Sequence, residues 1–414
     1  MSTPNQTDDH DARTDDEPPV TDHESPTDTV TPDAVAGDVD YDQLLAEFGA
    51  DRFSEEQRSR FPDPSHPLVR RGVYYAGRDV DPFLDAVESG EPHSIVTGIG
   101  PSGPMHLGHL YAFSVAKYLQ ERTGATVYIP LSDDEKYFTK DLSLDDIAAY
   151  TRENLLDLLA FDFDPERTRF VIDTADADVV YPVATALAKG LTQSTVEATY
   201  GPPDNVGQSF YPAVQATHLL LPQLVEGRHR TLVPIAVDQD PHVRVCRDLA
   251  AKERYDVTKP GALLSKFLPG LAGPGKMSAS DETPKILLTD DRETVREKIH
   301  THAFSGGQSS LEAHRREGGD PAVDVSFQYL AAFFEDDDAE VERLAREYRA
   351  GDLLSGELKA IAVETIADYL DAHQARRPAA ADLESALEPY RLTDDERRMA
   401  RRRVGYPDES LAQE

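Results

Sequence analysis

The sequence predicts an α/β protein: a parallel sheet covered by helices, followed by a separate all-α domain. Three observations predict it. From residue 93 to about residue 240, β-like runs alternate with helical patterns, as in strands joined by helical crossovers. After about residue 290 the strands stop and only helical patterns continue. The chain has 414 residues, enough for two or three domains with a sizeable core.

Residues 1–40 are rich in Asp, Thr and Pro and contain no aromatic side chain. They cannot bury enough apolar surface to offset ordering entropy, so disorder is expected. Residues 41–90 show short apolar patterns of both types, an accessory cap. In the span 91–290, HSIVTGIG reads as a strand, followed by a glycine-rich loop and the helix LGHLYAFSVAKYLQERTG. ATVYIPLSD is the next strand, then a charged DDEK and an amphipathic helix over about 144–161. TRFVIDT, the helices YPVATALAKGL and FYPAVQATHLLLPQLV, and the strand RTLVPIAVDQD complete the alternation. Ligands of such a sheet sit outside the carboxyl ends of its strands. Residues 291–376 are helical throughout, around a glycine-rich turn. Residues 377–414 contain the cluster ERRMARRR and read as a peripheral helix or tail.

Charge narrows the setting. Asp and Glu number 77 against 42 Lys and Arg, a net of −35, and only 11 of the 42 are Lys. The first 40 residues hold 12 acids and one Arg, so −24 remains on the other 374 residues. The acidity is global. It fits a high-salt cytoplasm, where the Debye length of ~3 Å at 1 M screens self-repulsion. No apolar run approaches the ~20 residues of a membrane span, and the acidic N-terminus has no secretory pattern. The single cysteine, Cys246, excludes an intramolecular disulfide and a Cys-rich zinc site. No bound structural metal is expected.

Two glycine motifs are misleading when taken alone. GIGPSG at 98–103 matches the dinucleotide fingerprint, but Pro101 removes a backbone donor. The acid after the next strand, Asp133, lies 30 residues beyond Gly103 rather than about 20. GLAGPGK at 270–276 is nearly a P-loop, but Met277 stands where a Mg²⁺-binding hydroxyl is required. Taken together, PSGPMHLGH at 101–109 and KMSAS at 276–280 form a different pair. His106 and His109 offer imidazole donors at a helix N-terminus, which itself favours phosphate. Lys276, Ser278 and Ser280 add a cation and hydroxyls.

This pair closely resembles the two nucleotide-binding motifs of class I aminoacyl-tRNA synthetases. Further text, including LSDDEKYFTKD, SFYPAVQATH, VDQDPHVRVCRDLA and HAFSGG, is similar to tryptophanyl-tRNA synthetases of the archaeal and eukaryotic branch. The likeness runs over about 41–376. It implies a class I Rossmann-type catalytic domain and a helical anticodon-binding domain. It further implies ATP with Mg²⁺ as substrate complex, tryptophan and tRNA(Trp) as the other substrates, charging at the ribose 2′-OH, and a homodimer. By the same resemblance, ATP meets Pro101, Ser102, Gly103, His106, Gly108, His109, Lys276, Met277, Ser278 and Ser280. The α-ammonium and carboxylate of the amino acid meet Glu135, Lys136, Gln215 and Gln239. Two positions depart from the family. Its indole readers, a Tyr and a Gln, are here Val96 and Pro130, neither able to accept an indole N–H. Thr217 and His218 are polar where the family has apolar residues, and one of them is the expected substitute. The alternatives are a paralogue for another amino acid and a tRNA-binding relative without ligase activity.

Overall fold

The computed structural model describes residues 49–276 and 284–407, residues 41, 43 and 45, and the backbone of two short upstream strands. Those strands, β1 (Thr29–Val30) and β2 (Val35–Ala36), pair antiparallel with Thr29 opposite Ala36. This corrects the expectation of no order in residues 1–40 for the strand pair itself. The rest of that stretch lies outside the described residues.

The elements follow in order. The cap region supplies β3 (Asp51–Arg52), α1 (Glu55–Ser59), α2 (Pro67–Arg70), β4 (Tyr74–Arg78) and α3 (Val80–Ser89). Next come β5 (His93–Val96), α4 (Leu110–Thr123), β6 (Thr126–Leu131), α5 (Asp133–Thr139) and α6 (Leu144–Ala160). β7 (Thr168–Ile172), α7 (Ala177–Ala188), α8 (Gln193–Tyr200) and α9 (Val206–Glu226) continue the chain. β8 (Arg230–Ala236), α10 (Asp240–Ala250) and β9 (Gly261–Ser265) close the sheet domain.

The seven-stranded sheet has the order β3-β4-β9-β8-β5-β6-β7. β9, β8, β5, β6 and β7 are mutually parallel, while β4 and β3 add an antiparallel edge. The cap therefore extends the main sheet. β5 is central, the chain winding first to β6 and β7 and then back to β8 and β9. Such a reversal opens a crevice at the carboxyl ends of β5 and β8. Both faces are covered, and alternate residues serve opposite cores. Ile95 packs with Phe113, Val127 and Phe170. Its neighbour Val96 packs with Tyr128, Val214 and Val233 on the α9 side. β10 (Pro269–Gly270) and β11 (Gly273–Lys276) form an antiparallel hairpin, so the GLAGPGK text builds no P-loop.

The helices α11 (Arg292–His302), α12 (Leu311–Glu317), α13 (Val325–Tyr329), α14 (Asp338–Ala350) and α15 (Ser355–Arg376) follow. α15 docks on α6 through buried Asp157, which lies 3.2 Å from His373 Nε2. Arg377 adds an ion pair with Glu153 at 2.6 Å. Among the described residues no helix is long and apolar enough to cross a membrane.

The last segment is no free tail through residue 407. α16 (Leu383–Leu387) and α17 (Asp394–Arg403) pack on the sheet domain. Tyr390 stacks on Phe170 with ring centroids 4.8 Å apart, and its hydroxyl donates to the Phe163 carbonyl oxygen at 2.9 Å. Arg391 and Arg397 both reach Asp176, which is fully buried after β7. The anchoring is both apolar and ionic: Leu383, Leu387, Leu392, Ala400 and Val404 are buried beside these ion pairs, single positions too widely spaced to stand out as a hydrophobic pattern. Asp176→Ala would leave Arg391 without its carboxylate, leave Arg397 with Asp178 alone at 2.6 Å, and orphan the Ile172 N–H that Asp176 accepts at 2.7 Å. A loss of about 2–3 kcal/mol is expected, given partners that keep some solvent. Denaturant titration in high salt measures it.

Candidate active site

The crevice at the carboxyl ends of β5, β6 and β8 is a cavity of about 610 Å³ against α9 and the start of α10. Two glycines after β5 shape it. A Cβ at Gly98 would strike the Pro130 carbonyl oxygen, and one at Gly100 would strike the Lys136 side chain. Strand and loop can approach β6 and α5 only because these side chains are absent.

His106 caps a single 3₁₀ turn, Leu107–His109, that leads into α4. Its Nδ1 accepts the Gly108 N–H at 3.1 Å, and the Nδ1 of His109 accepts the His106 N–H at 3.0 Å. Both Nδ1 atoms are therefore acceptors, which places the ring proton of each neutral imidazole on Nε2. The rings lie 4.0 Å apart between centroids and both line the cavity, with Ser102 and Gly108. Pro101 and Gly103 are buried behind it.

The second motif is held to the first by backbone. Leu107 N–H donates to Ile286 O at 3.1 Å, and Leu288 N–H to Met105 O at 2.9 Å. The segment just beyond KMSAS is thus laced to HLGH. Lys276 ends β11, with its side chain outside the described residues, as are Met277, Ser278 and Ser280.

Glu135, Lys136, Gln215 and Gln239 line the same cavity. Glu135 Oε2 lies 2.7 Å from Lys136 Nζ, and its other oxygen accepts the Thr139 hydroxyl at 3.0 Å. Gln215 Oε1 accepts from the Tyr211 hydroxyl at 2.6 Å, and that hydroxyl also lies 2.9 Å from Ser132 Oγ. Gln239 Nε2 donates to buried Asp238 at 2.9 Å. Three cavity residues escaped the reading of the sequence: Tyr211, and the pair Tyr200–His242, bonded at 3.0 Å. Single aromatic and His positions inside helical text give no signal of which cavity they meet.

Val96 and Pro130 line the cavity as an apolar wall with Leu219 and Val233. The substitute indole readers are a correction. Neither Thr217 nor His218 lines the cavity. The Thr217 hydroxyl bonds back along its own helix to Ala213 O at 2.9 Å. His218 Nε2 lies 2.6 Å from Asp173 Oδ1, both groups being fully buried. Asp173 follows β7 and captures the ring before it can turn toward substrate.

Behind the amino-acid clamp, Asp133, Asp134 and Asp173 bring carboxylate oxygens within 4.8 Å of one another. Their acceptors are largely committed. Asp133 takes the Thr174 N–H at 3.0 Å and the Thr174 hydroxyl. Asp134 takes the Glu135 N–H at 2.7 Å and the Tyr181 hydroxyl at 3.1 Å. Burial first, and then the Asp173 charge, push the Asp134 carboxyl up to about 8. Burial likewise raises Asp173 well above the carboxylate range. Burial lowers His218 to about 4, so the ring is neutral and donates. One proton shared by Asp134 and Asp173 completes this set, and a cation would find few open lone pairs.

Comparison with known proteins agrees with this geometry. Residues 88–371 match the family model described as tRNA synthetases class I (W and Y). The chain is 63% identical over 378 residues to Tryptophan--tRNA ligase 2 of Halobacterium salinarum, covering 91% of this chain and 98% of that one. It is 42% identical over 363 residues to the tryptophan--tRNA ligase of Sulfolobus acidocaldarius, covering 86% and 93%. The solved tryptophanyl-tRNA synthetase of Giardia lamblia superposes with a TM-score of 0.77 at 34% identity, over 86% of this chain and 96% of that one. A shared sheet, a shared helical domain and identity on this scale lead to one conclusion: the chain belongs to the class I tRNA synthetases, as a tryptophanyl-tRNA synthetase of archaeal and eukaryotic type.

Proposed function

We propose that the 610 Å³ cavity activates tryptophan with Mg²⁺-ATP and then passes it to the 3′ end of tRNA(Trp), with the roles below. One observation carries this reading: both imidazole donors and all four clamp residues line one cavity at the switch of the sheet. A carboxylate oxygen of tryptophan attacks the α-phosphorus of ATP. The bond to the bridging oxygen breaks and pyrophosphate leaves. A ribose hydroxyl of tRNA then attacks the acyl carbon and AMP leaves. The protein's work is positioning and neutralising charge.

His106 and His109 present Nε2–H donors to phosphate at the N-terminus of α4, whose dipole adds to them. Gly108 and Ser102 leave the adenosine access to backbone. Lys276, with Met277, Ser278 and Ser280, meets the leaving pyrophosphate. Glu135 takes the α-ammonium, while Lys136, Gln215 and Gln239 orient the carboxylate end. Tyr211 holds the Gln215 amide oxygen, which leaves its NH₂ to donate. The indole enters against Val96, Pro130 and Leu219. Acid in excess of base, seen where Arg60 alone meets Asp81, Asp85 and Glu88, supports operation in high salt. The active form is a cytoplasmic homodimer.

ATP–pyrophosphate exchange in high salt tests the assignment. Tryptophan is expected to support exchange, with tyrosine and phenylalanine at least tenfold weaker in kcat/KM. A preference for either competitor would overturn the indole placement.

A further inference from the structure

The cluster ERRMARRR has no part in the catalytic cavity, yet it ends in a defined place. The end of α17 meets the far end of α7 and the loop after α10 around a cleft of about 500 Å³. Its charged lining residues are Lys189, Arg254, Arg402 and Arg403, with no acid among them. Tyr255 and Tyr406 line it too. Elsewhere on the surface several guanidinium groups are ringed by carboxylates; Arg292, for example, meets Glu364, Asp368 and Asp371. In the cleft, Lys189 and Arg254 take no carboxylate partner among the described residues. Arg254 sits 6.0 Å from the Tyr255 ring centroid, and Arg403 donates to the Gln223 carbonyl oxygen at 2.6 Å.

We propose that this cleft is a nucleic-acid contact site, gripping the phosphate backbone of the tRNA substrate away from its 3′ end. A chain of net charge −35 repels a polyanion, so affinity must come from cations left unneutralised. Guanidinium forks match phosphate oxygens, and the two tyrosine rings offer a face to a base. The location asks for a large ligand. α10 starts beside the catalytic cavity, where His242 and Val243 line it, and runs 11 residues toward the cleft, roughly 16 Å at 1.5 Å per residue. A ligand engaging both places must span the depth of the sheet. One wall, α17, lies beyond residue 371, where the family match ends. The proposal rests on the tRNA ligase activity, and its test separates the two.

The test uses the full chain with Lys189→Glu and Arg254→Glu together, and in parallel Lys189→Gln with Arg254→Gln. Aminoacylation should show KM for tRNA raised about 10-fold in the charge-reversed protein and about 3-fold in the neutral one. The log–log dependence of tRNA affinity on salt should flatten by about 1.5–2, the share of two phosphate contacts. Tryptophan-dependent ATP–pyrophosphate exchange needs no tRNA and should be unchanged, which shows the fold and the activation site intact. If charge reversal impairs exchange, the neutral pair decides. An unchanged KM for tRNA and an unchanged salt slope overturn the proposal, whether the cleft is then idle or holds only a small anion.

Discussion

His109→Ala should lower the maximal rate of tryptophan-dependent ATP–pyrophosphate exchange by roughly 10²–10³-fold, the loss typical of one preorganised donor to a charged transition state. The size follows from how firmly the donor is aimed. His109 Nδ1 is committed to the His106 N–H at 3.0 Å, so the proton stays on Nε2. The turn itself is tied to residues 286–288 by two backbone hydrogen bonds, so little reorganisation is needed when charge develops. KM for tryptophan should move less than threefold, because the clamp sits on α5, α9 and the residues after β8. Lys276→Ala should act on the same step, since Lys276 ends β11 just ahead of the laced segment. A His109→Ala enzyme within threefold of the wild-type rate removes the phosphate role.

Much of this site was legible because its parts are local. Glycine spacing, two histidines at a helix start and a DDEK after a strand each declare their chemistry within a few residues. The five parallel strands were less evenly visible. GALLS, now β9, is short and opens on the Gly of a Pro-Gly pair, so it reads as loop, although it pairs β8 along its whole length. β4 was hidden in the cap because an antiparallel strand has no crossover helix to announce it. His218 shows the limit most clearly. Its spacing from Gln215 gives its position on α9 but cannot say what stands opposite. Asp173 arrives from the end of β7, 45 residues earlier in the chain, and settles the question at 2.6 Å. Burial of the C-terminal helices is the same lesson in ionic form: Arg391 and Arg397 read as surface charge until Asp176 is placed beneath them.

Asp173→Ala should destabilise the protein by roughly 3–5 kcal/mol, and Asp173→Asn by far less. The alanine variant leaves the His218 Nε2–H without its acceptor and Asp134 without the neighbour that shares its proton, both out of water. Asparagine keeps an oxygen for His218 and offers an amide N–H to Asp134 in place of the shared proton. The pH dependence separates this from a plain packing loss. In the unfolded chain an aspartate carboxyl gives up its proton near its ordinary value of 3.8, whereas burial holds Asp134 protonated to about pH 8 in the folded state. Between those values the folded state binds more protons, so the pair's contribution to stability falls as pH rises from about 4 and levels off above about 8. Asp173→Asn removes the neighbouring charge but not the burial, so it should shrink that slope without removing it. Asp134 also accepts the Glu135 N–H at 2.7 Å, so repulsion within the pair once its shared proton is lost above pH 8 should disturb the start of α5 and raise KM for tryptophan more in the wild type than in Asp173→Asn. Denaturant titrations at pH 6, 7, 8 and 9, with KM measured across the same range, provide the check. An alanine variant as stable as wild type, or an asparagine variant with the wild-type slope, would show that the carboxyl pair shares no proton.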